Sequence, residues 1–318
     1  MPTPPVHVCI VQRDACFVKY ARFRYNPVYA VQRIEEEGYC VPMMEAMGVF
    51  GDGRVPVGYL PAPSREAVFR TVLFHGVHGC ASPEPDNKYG HLARLCNERD
   101  MDVCIVETSR SRRDRDAFVR EDTGDDRVGW ALAAFAGKTF AMELADICSA
   151  LERIDAELPP KPTVLWGFSL GGIISVLVAG AEHGTILREA GLRVPAVSTA
   201  FAGVITSGSG DRIRAEAKAQ LALPVLDSVP PAETLHRAAG NLRAGFFLSF
   251  YGDRDASFDE SSVRRIFDLV PLPENRKVFT ILSGADHAFR TLDGKPSDKP
   301  LRDMTDFAAS FTARAIPE

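Results

Sequence analysis

Residues 163–172 carry the most informative pattern in the chain: Thr163-Val164-Leu165-Trp166-Gly167-Phe168-Ser169-Leu170-Gly171-Gly172. The first four are apolar or β-branched, as in a short buried strand. Gly167-Phe168-Ser169-Leu170-Gly171 then matches G-x-S-x-G, and residues 170–181 continue as an apolar helical run. A strand that passes through this pattern into a helix makes a sharp elbow. Its serine takes strained backbone angles, and the small residues Gly167 and Gly171 let strand and helix approach without clash. The Ser169 hydroxyl is thereby raised above the sheet at a helix N-terminus. The N–H of Leu170 points to where an oxyanion would form, and the helix dipole favours negative charge there. The competing explanation, a glycine-rich turn with an incidental serine, does not account for the strand before it and the helix after it.

Outward from the elbow, short apolar runs alternate with helical patterns. Residues 72–74, 103–106, 201–206, 246–251 and 278–282 read as strands, and 87–98, 140–154, 263–269 and 301–315 as helices. In 140–154 the apolar stripe is Met142, Leu144, Ile147, Leu151 and Ile154. Asp86 or Asn87 is the candidate cap of the helix that follows 72–74. Nearly continuous apolar strands alternating with helices predict a mostly parallel sheet covered on both faces. Residues 6–11 and 55–60 are candidate strands, antiparallel at one sheet edge. The region 22–38, with Glu35-Glu36-Glu37, fits no element. There is no internal repeat, and 318 residues suit a single α/β domain, 1–318, with 1–60 as an N-terminal extension or edge strands.

Composition narrows the function. With 46% hydrophobic residues, a chain of this length can bury a core without disulfides or metal. A net charge of −5 offers no basic face for nucleic acid. Arg110, Arg112, Arg113 and Arg115 cluster, but Asp114, Asp116, Glu121, Asp122, Asp125 and Asp126 cancel their field, so the run reads as a solvated loop. The 7 cysteines form no C-x-x-C pair and are irregularly spaced, which fits buried thiols in a reducing compartment. The N-terminal segment lacks the basic start and apolar run of a signal peptide. No stretch reaches the ~18 apolar residues of a membrane helix. A cytoplasmic protein without a nucleic-acid or membrane partner is expected.

A serine hydroxyl needs a histidine base, itself oriented by a carboxylate. Among the seven histidines, His287 lies in Gly284-Ala285-Asp286-His287, directly after the last strand. Loops at strand C-terminal ends carry the sites of parallel sheets. The acid belongs between serine and histidine in the chain. Gly252-Asp253-Arg254-Asp255 ends the apolar strand 246–251, which makes Asp255 the candidate, with Asp253 a close rival and Asp211 a weaker one. Two aspartates one residue apart imply that one of them is a turn residue. A second oxyanion donor is expected in His75-Gly76-Val77-His78-Gly79, after strand 72–74: Val77 N–H first, Gly76 next. His75 and His78 make a poor metal pair, having no third ligand nearby and no common strand face.

Together these residues resemble the α/β-hydrolase superfamily. The resemblance rests on His75-Gly76, on the elbow, on Gly252-Asp253-Arg254-Asp255 and on Gly284-Ala285-Asp286-His287, and covers roughly residues 55–315. It implies an α/β fold with about eight mostly parallel strands, helices on both faces, a small cap and a Ser169–His287–Asp255 triad. The chain departs from the common pattern after 103–106. Many relatives have a short glycine-rich turn there, whereas this chain has Glu107-Thr108-Ser109-Arg110 and a long charged segment. Residues 109–138 are a candidate lid, whose Trp130, Leu132, Phe135 and Phe140 either line an acyl pocket or anchor the segment to the core. Residues 211–240, broken by Pro224, Pro230 and Pro231, are a candidate cap. The implied activity is hydrolysis of a small carboxylic ester through an acyl group on Ser169, with no metal or organic cofactor. A thioesterase or an acyltransferase would use the same triad. A silent binding protein on the same fold is the alternative of another class.

Overall fold

The computed structural model describes residues 41–64, 67–77, 80–113, 127–221, 223–291 and 298–315. Eight strands form one sheet: β1 (Met43–Met47), β2 (Arg54–Leu60), β3 (Arg70–Phe74), β4 (Asp102–Val106), β5 (Thr163–Phe168), β6 (Gly203–Ser207), β7 (Phe247–Gly252) and β8 (Lys277–Leu282). Their order is β1-β2-β4-β3-β5-β6-β7-β8. The hairpin β1–β2 joins β4 antiparallel at one edge, and β4 to β8 pair in parallel. Candidate strand 6–11 and the region 22–38 lie outside the described residues.

Ten helices are described: α1 (Lys88–Asn97), α2 (Arg127–Ala134), α3 (Phe140–Glu157), α4 (Leu170–Ala179), α5 (His183–Glu189), α6 (Ala215–Leu221), α7 (Pro224–Asp227), α8 (Ala232–Gly240), α9 (Glu260–Leu269) and α10 (Lys299–Ala315). Strand side chains alternate between two layers, as the pleat requires. Leu73, Ile105, Trp166 and Leu248 face α1 and α10, packing with Leu92, Leu95, Met304 and Phe311. Val72, Cys104, Leu165, Val204 and Phe247 face the other way, against Leu144, Leu151, Ile174 and Leu235 of α3, α4 and α8. Burial on both faces explains why these strands read as unbroken apolar runs.

Helix starts follow local capping chemistry. Asn87 accepts from Tyr89 N–H (2.9 Å), Thr139 from Met142 N–H (3.4 Å) and Asp259 from Ser262 N–H (2.7 Å). Of the candidate lid, 114–126 lie outside the described residues. Trp130, Phe135 and Phe140 are buried in the α3–α4 layer and anchor the segment, while Leu132 is exposed. In the candidate cap, α8 packs along α4 and α9.

One expectation is corrected here. Arg110, read as part of a solvated loop, is fully buried. Its guanidinium lies over the rings of Phe135 (4.9 Å) and Trp130 (5.4 Å), and Glu107 lies 3.4 Å from its Nε. The planar, weakly hydrated guanidinium suits such contact with aromatic rings. Among the described residues Cys80, Cys96, Cys104 and Cys148 form no disulfide, and Cys9, Cys16 and Cys40 lie outside the described residues. Among the described residues no single helix is long and apolar enough to cross a membrane.

Candidate active site

The β5–α4 elbow is as tight as its glycines imply. A Cβ on Gly167 would lie 2.2 Å from the Gly171 carbonyl, which only glycine avoids. Ser169 has φ 52° and ψ −117°, a conformation that costs about 1–3 kcal/mol for a residue with a side chain. Three contacts hold it. Ser169 N–H donates to the Ser207 carbonyl (2.8 Å), while Ser209 Oγ (2.8 Å) and Gly172 N–H (3.1 Å) donate to the Ser169 carbonyl.

The structure brings the three sequence candidates together. Ser169 Oγ lies 3.0 Å from His287 Nε2, and His287 Nδ1 lies 2.8 Å from Asp255 Oδ2. The other carboxylate oxygen accepts from Ser257 N–H (2.7 Å) and Phe258 N–H (3.0 Å), so both Asp255 oxygens are acceptors. The imidazole proton therefore sits on Nδ1, and Nε2 is left to accept the serine proton. The Asp255 side chain is fully buried and that of His287 is 28% exposed. Gly208, at φ +59°, lies under both partners: a Cβ there would be 3.2 Å from His287 Nδ1 and 3.3 Å from Asp255 Oδ2.

The rival acids are engaged elsewhere. Asp253 accepts from Gly284 N–H (2.7 Å) and Ser283 Oγ (3.2 Å), bracing the loops after β7 and β8. Asp211 accepts from Arg265 (2.6 and 2.8 Å) and Ser262 Oγ (2.9 Å) and meets His236 Nε2 (2.8 Å). Burial pushes the Asp211 carboxyl up, but the bonds from Arg265, His236 and Ser262 outweigh it and hold the group down at about 2.

At the candidate oxyanion loop, a Cβ at Gly76 would lie 2.8 Å from Ser169 Cβ, so this loop passes directly over the serine. Gly76 N–H donates to the Tyr89 hydroxyl (3.3 Å), which leaves Val77 as the better of the two candidate donors. Among the described residues neither Val77 N–H nor Leu170 N–H meets a protein acceptor. His75, beside them, is buried. Its Nδ1 lies 2.8 Å from the Gly76 carbonyl, and its Nε2 meets Thr108 N–H and Arg110 Nη2, each at 3.3 Å. Burial, followed by the charge of Arg110, pushes the imidazole down to about 4, so the ring is neutral. His78 lies outside the described residues.

The segment after β4 is pinned from below by buried charges. Lys138 Nζ reaches Glu143 (2.5 Å), Asp146 (2.7 Å) and the Ser109 carbonyl (2.7 Å). Asp146 also accepts from Val49 N–H (3.0 Å) and Ser109 N–H (2.8 Å). Sequence reasoning missed Tyr89, Ser207, Ser209 and this network. Thr108 and Arg110 left a trace only as a departure from the common pattern.

No family model and no curated protein matches the sequence. Solved structures do match. Thermogutta terrifontis esterase 2, solved phosphoramylated by tabun, is 14% identical, with a TM-score of 0.58 over 90% of this chain and 100% of its own. The esterase domain of a Rhodothermus marinus protein is 16% identical (TM-score 0.53, 87% and 99%). An α/β serine hydrolase without lid from Xanthomonas campestris is also 16% identical (TM-score 0.52, 92% and 99%).

The fold is that of the α/β hydrolases. In this α/β-hydrolase fold the elbow follows the central strand β5, Asp255 and His287 follow β7 and β8, and the His75–Val77 loop follows β3. All four segments leave the sheet at the C-terminal ends of parallel strands, where ligands of open α/β sheets bind.

Proposed function

We propose that this protein is a serine hydrolase that cleaves a small carboxylic ester through an acyl-enzyme on Ser169. One observation carries the reading: the two nitrogens of His287 bridge Ser169 (3.0 Å) and Asp255 (2.8 Å), with a strained serine at one end and a saturated carboxylate at the other. In the first half-reaction Ser169 Oγ attacks the ester carbonyl while His287 Nε2 takes its proton. The imidazolium formed is stabilised by Asp255, and the oxyanion is received by Leu170 N–H and Val77 N–H. His287 then gives the proton to the leaving alcohol. Water, activated by His287, attacks the acyl-enzyme and releases the acid. No step calls for a metal or an organic cofactor. The esterases among the structural neighbours support ester as the substrate class.

A thioester, or an acyl acceptor other than water, would pass through the same intermediate. Buried, unbridged thiols at Cys96, Cys104 and Cys148 suit a reducing, cytoplasmic setting. A binding protein that merely kept the fold would have no need for an imidazole and a buried carboxylate aligned on Ser169. Aryl esters of graded acyl length, run beside the matching thioesters, test the reading. It expects an initial burst of about one alcohol per chain followed by steady turnover, both lost in Ser169→Ala. A folded chain inert across both series would contradict it.

A further inference from the structure

Arg110 belongs to the stretch that departs from the common pattern, and burying a guanidinium beneath an oxyanion loop calls for an explanation. Proton accounting supplies one. Thr108 N–H and Arg110 Nη2 both point at His75 Nε2 from 3.3 Å, and neither group can accept a hydrogen bond. The Thr108 hydroxyl lies 3.2 Å from the same nitrogen, but its one proton goes to Glu143 Oε1 at 3.0 Å. His75 Nε2 is therefore an acceptor, and the ring proton sits on Nδ1. That proton is donated to the Gly76 carbonyl at 2.8 Å. The carbonyl and the N–H of Val77 belong to one planar trans peptide and point in opposite directions. Fixing the carbonyl against the buried ring turns Val77 N–H away from it, on the loop that passes over Ser169.

We propose that Arg110 and His75 are positioning residues for oxyanion stabilisation. Arg110, with Thr108 N–H, locks His75 as the neutral Nδ1–H tautomer, and that tautomer sets the Gly76–Val77 peptide so that Val77 N–H faces the reacting carbonyl. The inference rests on the acyl-transfer reading above and adds a part to it. The guanidinium lies over the rings of Trp130 and Phe135, and Lys138, Glu143 and Asp146 fix the backbone from which it springs.

Two substitutions at His75 separate positioning from support of the fold, because each keeps a different half of the ring's bonding. In His75→Asn the amide nitrogen falls near the Nδ1 position and can still donate to Gly76, while Thr108 and Arg110 lose their acceptor. In His75→Gln the amide oxygen reaches the Nε2 position and still accepts from them, while the Gly76 carbonyl loses its donor. Activity and stability should therefore move in opposite orders. His75→Asn should melt lower than His75→Gln, yet keep kcat within about tenfold of wild type. His75→Gln should lose about 10²-fold in kcat, with KM within about threefold of wild type. Nitrogen-15 spectra of histidine-labelled wild type should show a ring in the neutral Nδ1–H form between pH 6 and 8, missing from His75→Gln. Activity losses that follow the melting order, or an Nε2–H form for His75, would overturn the inference while leaving the hydrolase reading intact. A wild type inert to both esters and a fluorophosphonate would overturn the hydrolase reading, and this inference with it.

Discussion

Two aspartate–histidine pairs lie at the C-terminal side of this sheet with the same 2.8 Å separation: Asp255–His287 and Asp211–His236. They differ in what surrounds them. Asp255 is buried and receives only backbone N–H groups besides the imidazole, and the far nitrogen of His287 reaches a strained serine. Asp211 is gripped on both oxygens by Arg265, and its neighbouring serine, Ser262, donates to the carboxylate itself instead of facing the imidazole. The first arrangement leaves His287 Nε2 as an acceptor 3.0 Å from a hydroxyl. The second ties α8 and α9 to the loop after β6. A short Asp–His contact is thus not a relay by itself; what the far nitrogen of the histidine faces makes the difference.

The largest expected effect breaks the pairs apart by function. Asp255→Asn should lower kcat by about 10⁴-fold with little change in Tm, because the amide favours the wrong imidazole tautomer. Asp211→Asn should leave kcat within a few-fold. If both substitutions lowered kcat alike, the contrast would be void. Stability supplies the reverse effect: Asp211→Ala should lose about 1–3 kcal/mol in urea unfolding, since Arg265 and Ser262 are left without their acceptor.

A third histidine sharpens the comparison through pH. His75 is buried neutral, pushed down to about 4 by burial and by Arg110. Its unfolded value is higher, so below about pH 6.5 the unfolded chain binds more protons than the folded one. The contribution of His75 to stability is therefore complete above about pH 6.5 and is lost as pH falls through about 4. Urea midpoints measured from pH 7 to 4.5 should fall less steeply in His75→Gln than in wild type; parallel slopes would show the ring to be already protonated in the fold. The smallest effect is expected at Asp253, two residues from the relay. Asp253→Ala removes only the brace to Gly284 and Ser283, and should cost under about 1 kcal/mol with kcat unchanged.

Much of this was legible because the elbow imposes local rules. Steric need for Gly167 and Gly171, unbroken apolar strands and the order Ser169, Asp255, His287 are all visible along the chain. The strands and helices read from the sequence within the described residues fall within a few residues of their structural positions, as at α1, where Asn87 is the cap, whereas α2 and α5 were not read. Strand β1 went unread because Met43-Met44-Glu45-Ala46-Met47 has weak strand character and pairs only through the sheet. The choice between Asp255 and Asp253 depends on which carboxylate turns inward, a tertiary fact with no trace in a glycine-rich turn. Arg110 misled for a related reason. A charge run reads as solvated unless one knows that Trp130 and Phe135, twenty or more residues on, fold back over it. Tyr89 and Ser209 act through hydroxyls, and Ser207 through its carbonyl, all placed by long-range packing, and no local pattern marks them.

The central claim is that Ser169 is an activated nucleophile driven by His287 and Asp255. Intact mass after incubation with a fluorophosphonate tests it most directly, run on wild type, Ser169→Ala and Asp255→Asn. The account predicts one adduct on wild type, none on Ser169→Ala and a greatly slowed adduct on Asp255→Asn. A folded wild type that stays unmodified, or a Ser169→Ala chain that still takes the label, would contradict it.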